Sequence, residues 1–181
     1  MVIRKSFRFE GAHVVRNCVT ERCSLSIHGH SYVVEVFVSA DGIDNGQMII
    51  DFSLLKKAFH PFVDSFDHSL AYWQDDDPEY IDFIHKYSAR WVSLPVSPSA
   101  EMLSLVFLTA MSALLGKIEL SNGEKNVHVV SVRVHETASG YAESFASDLQ
   151  SSGLPKIDLQ KIIFSEDIKK DWPDRNWWQS L

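Results

Sequence analysis

The chain has 181 residues, 45% hydrophobic and 23% charged, which fits one domain with a core large enough to need no staple. A net charge of -7 argues against general nucleic-acid binding, and with no long apolar run and no apolar stretch behind Met1 neither a membrane span nor a secretory leader is expected. The only cysteines, Cys18 and Cys23, do not look like a secreted disulfide framework, so the cytoplasm is the expected compartment.

Val2 to Phe9 predicts a first strand, leaving through Gly11-Ala12-His13. Val14 to Ile27 predicts a polar loop holding Arg16, Cys18, Arg22 and Cys23. His28 to Ala40 is β-branched and aromatic and predicts the second strand, closed by the turn-rich Asp41 to Gly46. Gln47 to Ile50 reads as a short extended return into Asp51, a helix N-cap. Phe52, Leu55, Phe59, Phe62, Val63 and Phe66 then fall at helical spacing, with Pro61 placed to end or kink the helix early. Phe66-Asp67-His68 follows. Asp77-Pro78 opens a second helix whose stripe of Tyr80, Phe83, Ile84, Tyr87 and Trp91 predicts core or subunit contact. Ser97-Pro98 opens a third helix to about Leu115.

Asn126 to His135 alternates strongly and predicts a strand, with Glu136 to Gly140 as its turn and Tyr141 to Ala146 as the antiparallel return. Beyond Asp148 periodicity is poor, although Ile157 to Phe164 can fold locally. Trp172, Trp177 and Trp178 in that tail are costly to leave in water, so it is expected to pack on its own subunit or a neighbour. The order strand, strand, three helices, strand, strand predicts an α+β fold: an antiparallel sheet of two hairpins with helices on one face.

Residues i and i+2 of a strand share a face, so His28 and His30 present two imidazoles side by side, and His13 on the neighbouring strand offers a third. Three neutral nitrogen ligands leave one coordination position free, as in catalytic zinc. Cys23 as a fourth ligand would instead close the shell and make the site structural. Taken singly, each residue also has an ordinary reading as a hydrogen-bonded histidine, a helix-end Asp-His or a surface acid.

Four separated segments, in order, resemble the 6-pyruvoyl-tetrahydropterin synthase and 6-carboxy-tetrahydropterin synthase family. Phe9-Glu10-Gly11-Ala12-His13 resembles its first zinc-ligand segment, and Cys23 with His28-Gly29-His30 its nucleophile-and-ligand segment. Phe66-Asp67-His68 resembles its acid-base segment, and Val134-His135-Glu136-Thr137 the strand end carrying its pterin-anchoring glutamate. The resemblance covers Val2 to about Ala146 and implies a domain over residues 1–148, with an insertion at about 72–93 and an extension over 149–181.

The resemblance implies the tunnelling fold, in which the sheets of several subunits close into a barrel with active sites at subunit boundaries, and hence a homo-oligomer. It implies Zn2+ on His13, His28 and His30, catalysis by Cys23, Asp67 and His68, and substrate binding by Glu136 and Thr137. Four residues separate Cys23 from His28 where bacterial members usually have three, which keeps Cys18 as a competing nucleophile. The implied substrate is 7,8-dihydroneopterin triphosphate. The compact spacing points to the lyase that yields 6-carboxy-5,6,7,8-tetrahydropterin and acetaldehyde for queuosine. Alternatives are the 6-pyruvoyl reaction of the biopterin route and a non-catalytic zinc-containing pterin-binding or scaffold protein.

Overall fold

The computed structural model describes residues 1–181, the Ser180 side chain excepted. Its strands are β1 (Val2–His13), β2 (His28–Ser39), β3 (Ser69–Trp73), β4 (Trp91–Leu94), β5 (His128–His135), β6 (Tyr141–Phe145) and β7 (Ile163–Phe164). The helices are α1 (Glu21–Ser24), α2 (Phe52–Asp64), α3 (Pro78–Tyr87), α4 (Ala100–Leu115) and α5 (Glu166–Lys169). All strands join one mixed sheet in the order β6-β5-β2-β1-β3-β4-β7. Its antiparallel half is the pair of hairpins predicted from alternation, β1 with β2 and β5 with β6, joined through β2 and β5.

The other half is an addition. β3 lies parallel to β1 and β4 parallel to β3, with α3 as the crossover, and β7 from the tail closes that edge antiparallel to β4. Alternation along these strands divides the residues between two cores. Phe9, Tyr32, Val34, Ala71, Val92, Leu94 and Phe164 face α2 and α4, whereas Ala12, Leu70, Tyr72 and Trp91 pack with Ile84 of α3 on the opposite face. Helices therefore cover one face of the hairpins, as predicted, while α3 covers the far face of the addition.

Helix boundaries follow capping chemistry. Asp51, Asp77 and Ser99 accept from Ser53, Glu79 and Met102 backbone N–H groups at the starts of α2, α3 and α4. α4 is buried nearly all round, through Leu103, Leu105, Val106, Phe107, Leu108, Ala110 and Met111, because the sheet lies on one side and the tail touches another. Trp178 stacks on Phe62 at 4.9 Å, and Trp172 packs on Phe164, so both tail indoles are buried against this chain's own core.

Three local expectations are corrected. The 14–27 segment is not wholly loop, since it contains the single turn α1. Gln47 to Ile50 is not extended: the Asp44 carboxylate accepts from the backbone N–H groups of Gly46 and Met48, folding the segment into a turn. Pro61 does not end α2, whose next turn is held by the Ser65 backbone N–H and hydroxyl, both donating to the Pro61 carbonyl at 3.2 and 2.8 Å. Among the described residues no helix is long and apolar enough to cross a membrane.

Candidate metal centre and active site

Antiparallel register sets His13 directly opposite His28 and Gly11 opposite His30, so the three imidazoles share the helix-covered face at the end of the β1–β2 hairpin. Ring centroids are 4.5 Å apart for His13 and His28, 5.2 Å for His13 and His30, and 5.1 Å for His28 and His30. One ligand atom from each falls within 4.8 Å of the others. The glycine between the paired histidines has a steric cause. A Cβ on Gly29 would stand 3.1 Å from the Gly11 carbonyl oxygen, so a side chain there would push the strands apart.

Backbone carbonyls select the tautomers. His13 Nδ1 lies 2.7 Å from the Pro98 oxygen and His28 Nδ1 2.9 Å from the Ser26 oxygen; with Nδ1–H donating, each Nε2 is left as a lone pair. His30 Nε2 is buried without a hydrogen-bond partner, as a nitrogen awaiting a ligand would be. Burial, with smaller contributions from His28 and His30, lowers the His13 pKa to about 4 despite its bond to Pro98. Burial likewise lowers the His30 pKa, against the opposing pull of Glu136. Both shifts favour the neutral, metal-binding form of His13 and His30, and the donor set suits zinc with an open position.

Glu136, just past β5, brings its Oε1 to 3.5 Å from His13 Nε2 and 3.9 Å from His30 Nε2. Thr137 is exposed in the turn that follows, where the backbone N–H groups of both residues donate to the Gly140 carbonyl. Tyr32 was missed as part of this site, although it continues the His28, His30 alternation. Its hydroxyl lies 3.3 Å from either ring nitrogen of His13, and burial, followed by Glu136, raises its pKa.

Cys23 lies in α1, and neither cysteine is in a disulfide. The loop around it is tied at two points: Val15 N–H donates to the Cys23 carbonyl at 2.8 Å, and Arg16 Nη1 donates to the Ser24 carbonyl at 2.7 Å. Arg16 is itself fixed by Asp76, which takes its Nε at 2.9 Å, and by the Tyr80 ring 4.6 Å away. Arg22 has no hydrogen bond or ion pair to Cys23 among the described residues.

Asp67 and His68 are bonded directly, Nδ1 to Oδ2 at 2.7 Å, because the chain bends where an extended strand would hold the two side chains apart. His68 takes φ 53, a left-handed conformation that costs a non-glycine residue about 1 kcal/mol. Burial opposes ionisation of Asp67, but hydrogen bonds from the Glu10 N–H and from His68, with Arg90 nearby, hold its carboxyl below the ordinary value. The His68 side chain is 74% exposed, and no hydrogen bond or ion pair joins this dyad to Cys23 or the three histidines among the described residues. A cleft of about 440 Å³ lies beside it, lined by Glu10, His30, Ser31, His68 and Ser88 among others.

Residues 2–147 match the family model described as 6-pyruvoyl tetrahydropterin synthase. The chain is 40% identical over 182 residues to a 6-carboxy-5,6,7,8-tetrahydropterin synthase of Helicobacter pylori strain J99, covering 100% of this chain and 91% of that protein. It is 34% identical to the Aquifex aeolicus protein of the same name, over 78% of this chain and 95% of that one. In three dimensions it resembles an uncharacterized protein from Wolinella succinogenes (TM-score 0.63, 22% identity, 81% of this chain and 98% of that). The Caenorhabditis elegans 6-pyruvoyl tetrahydropterin synthase shares the fold as well (TM-score 0.56, 18% identity, 81% and 95%).

Proposed function

The chain belongs to the 6-pyruvoyl tetrahydropterin synthase family, and from that premise we propose that it is a zinc-dependent 6-carboxy-5,6,7,8-tetrahydropterin synthase. In this reading it is a cytosolic lyase that converts 7,8-dihydroneopterin triphosphate to 6-carboxy-5,6,7,8-tetrahydropterin, acetaldehyde and triphosphate, on the route to 7-deazaguanine and queuosine. The observation that carries it is the face made by His13, His28 and His30, with two rings already oriented by backbone carbonyls. The chemistry is assigned to residues 1–148, with residues 149–181 as an extension.

His13, His28 and His30 would hold the ion. Zinc, when bound, supplies Lewis acidity that lowers the cost of negative charge on the oxygens of the substrate side chain. The other roles belong to the chain's own groups. Glu136 accepts two parallel hydrogen bonds from the 2-amino and N3–H edge of the pterin, and Thr137 adds one more. Cys23, as thiolate, removes a proton beside the pterin. Asp67 keeps the proton of His68 on Nδ1 and stabilises the imidazolium, so that Nε2 can pass a proton to or from substrate.

Among the described residues the Asp67–His68 dyad is not bonded to Cys23 within one chain, and in this reading a homo-oligomer with active sites at subunit boundaries brings such groups together from neighbouring copies.

The test is to incubate zinc-loaded protein with fresh 7,8-dihydroneopterin triphosphate, identify the pterin by mass spectrometry and assay acetaldehyde. A 6-carboxy product with stoichiometric acetaldehyde is expected. A 6-pyruvoyl product without acetaldehyde would move the protein to the biopterin route. Unchanged substrate, with zinc verified, would leave a non-catalytic pterin-binding or scaffold protein.

A further inference from the structure

The bend that joins Asp67 to His68 is gripped from two sides. On one side is the backbone of Glu10, whose N–H donates to Asp67 Oδ1 at 2.8 Å and whose carbonyl accepts from the His68 N–H at 2.6 Å. On the other is Arg90, at the entry to β4. Its Nε donates to the Asp67 carbonyl at 3.0 Å and its Nη2 to the Asp64 carbonyl at 3.1 Å. Carbonyls at the end of a helix have no partner one turn on, so a planar cationic fork that spans two of them fixes both the end of α2 and the turn behind it.

The tail secures the same corner. Asp171 takes Arg90 Nη1 at 2.7 Å, and the buried indole of Trp172 donates to Ser65 Oγ at 2.8 Å, two residues before Asp67. Ser165 joins in beside Arg90, its N–H donating to the Trp91 carbonyl and its hydroxyl accepting from the Trp91 N–H.

We propose that Arg90 is a positioning residue for the Asp67–His68 pair, and that the C-terminal extension, through Asp171 and Trp172, holds Arg90 and Ser65 in place for it. The proposal rests on the reading of Asp67 and His68 as the acid-base pair. Arg90 acts through the backbone of the turn, not on substrate. Without its fork the Asp67 carbonyl turns to water and that of Asp64 keeps only the Asp67 N–H at 3.0 Å, so His68 relaxes out of its left-handed conformation and the Nδ1 bond to Asp67 is lost.

The experiment compares Arg90→Met, Arg90→Lys and Trp172→Phe with a Lys170→Ala control on the exposed Lys170–Asp167 ion pair, all in the zinc-loaded 181-residue chain. Two readouts are taken: kcat and KM separately, and the ring 15N signals of His68, which report the Nδ1-protonated tautomer. Arg90→Met is expected to lower kcat roughly 10- to 100-fold with KM within about twofold, and to shift the His68 signals toward those of a free imidazole. Arg90→Lys, which keeps the charge without the fork, recovers part of both, Trp172→Phe moves both in the same direction by less, and the control matches the parent.

Folded Arg90→Met with unchanged kcat and unchanged His68 signals would overturn the proposal, as would lost activity with His68 signals intact. If Arg90→Met does not fold, Arg90→Lys and Trp172→Phe decide by the same readouts. A parent protein without turnover removes the lyase reading, while the His68 signals still decide whether Arg90 orders the turn.

Discussion

Burial of His13 to 1% exposure decides what its imidazole can do with a proton. Its pKa is about 4 in the folded protein against an ordinary 6.5, so between those values the unfolded chain binds a proton that the folded chain refuses. The contribution is fully present above pH 6.5 and is lost as pH falls toward 4. Urea unfolding of metal-stripped protein should show a loss of up to about 3 kcal/mol across that window, and His13→Gln should flatten the slope. An unchanged slope in the variant would assign the pH dependence to other groups. Cys23→Ala separates chemistry from metal binding: zinc content should stay at the parent level while turnover falls roughly 100-fold or more. Loss of zinc together with the fold would instead make Cys23 a structural ligand.

Among the elements, those that alternate were legible in the sequence and those buried on both sides were not. β1, β2, β5 and β6 each show one face to the core and one outward, and the three histidines, Glu136 and the Asp67–His68 dyad could be placed on or beside them. β3 reads Ser69-Leu70-Ala71-Tyr72, buried throughout because α3 covers one face and the main core the other, so it carries no period. β7 is only two residues long and exists because β4 offers an edge. Arg16 and Arg90 left no sequence signal, since their carboxylate partners, Asp76 and Asp171, lie 60 and 81 residues away and their other acceptors are backbone carbonyls. The Arg16–Asp76 contact joins α1's loop to the added β3–α3 segment. Asp76→Asn should therefore speed hydrogen exchange over residues 14–27 while leaving 128–145 unchanged, as read by mass spectrometry. Trp178→Ala removes a buried ring stacked on Phe62 and should cost about 3 kcal/mol in denaturant unfolding.

At the scale of the molecule, β6 ends one side of the sheet, with Tyr141 and Phe145 about half exposed on it. An exposed edge of this kind invites pairing with another copy. Sedimentation should give a mass of several chains, and Tyr141→Pro, which by the alternation of the β5–β6 ladder removes a donor from the open side of that strand, should shift it toward one chain; a monomeric parent would sink the shared-site reading. The sheet also combines contacts of very different reach. The three imidazoles meet by closing a single hairpin, whereas the Trp172–Ser65 bond spans 107 residues. Closing short loops is entropically cheaper and faster than joining distant segments. Refolding should therefore proceed in a fixed order: a chain that has formed its first hairpin already brings the three imidazoles together, while the Asp67–His68 corner waits for the last segments to dock. With zinc at the proposed three-histidine site, stopped-flow refolding with a zinc indicator should register metal uptake well before activity returns, so that a half-folded chain would hold the ion before it has the proposed chemistry.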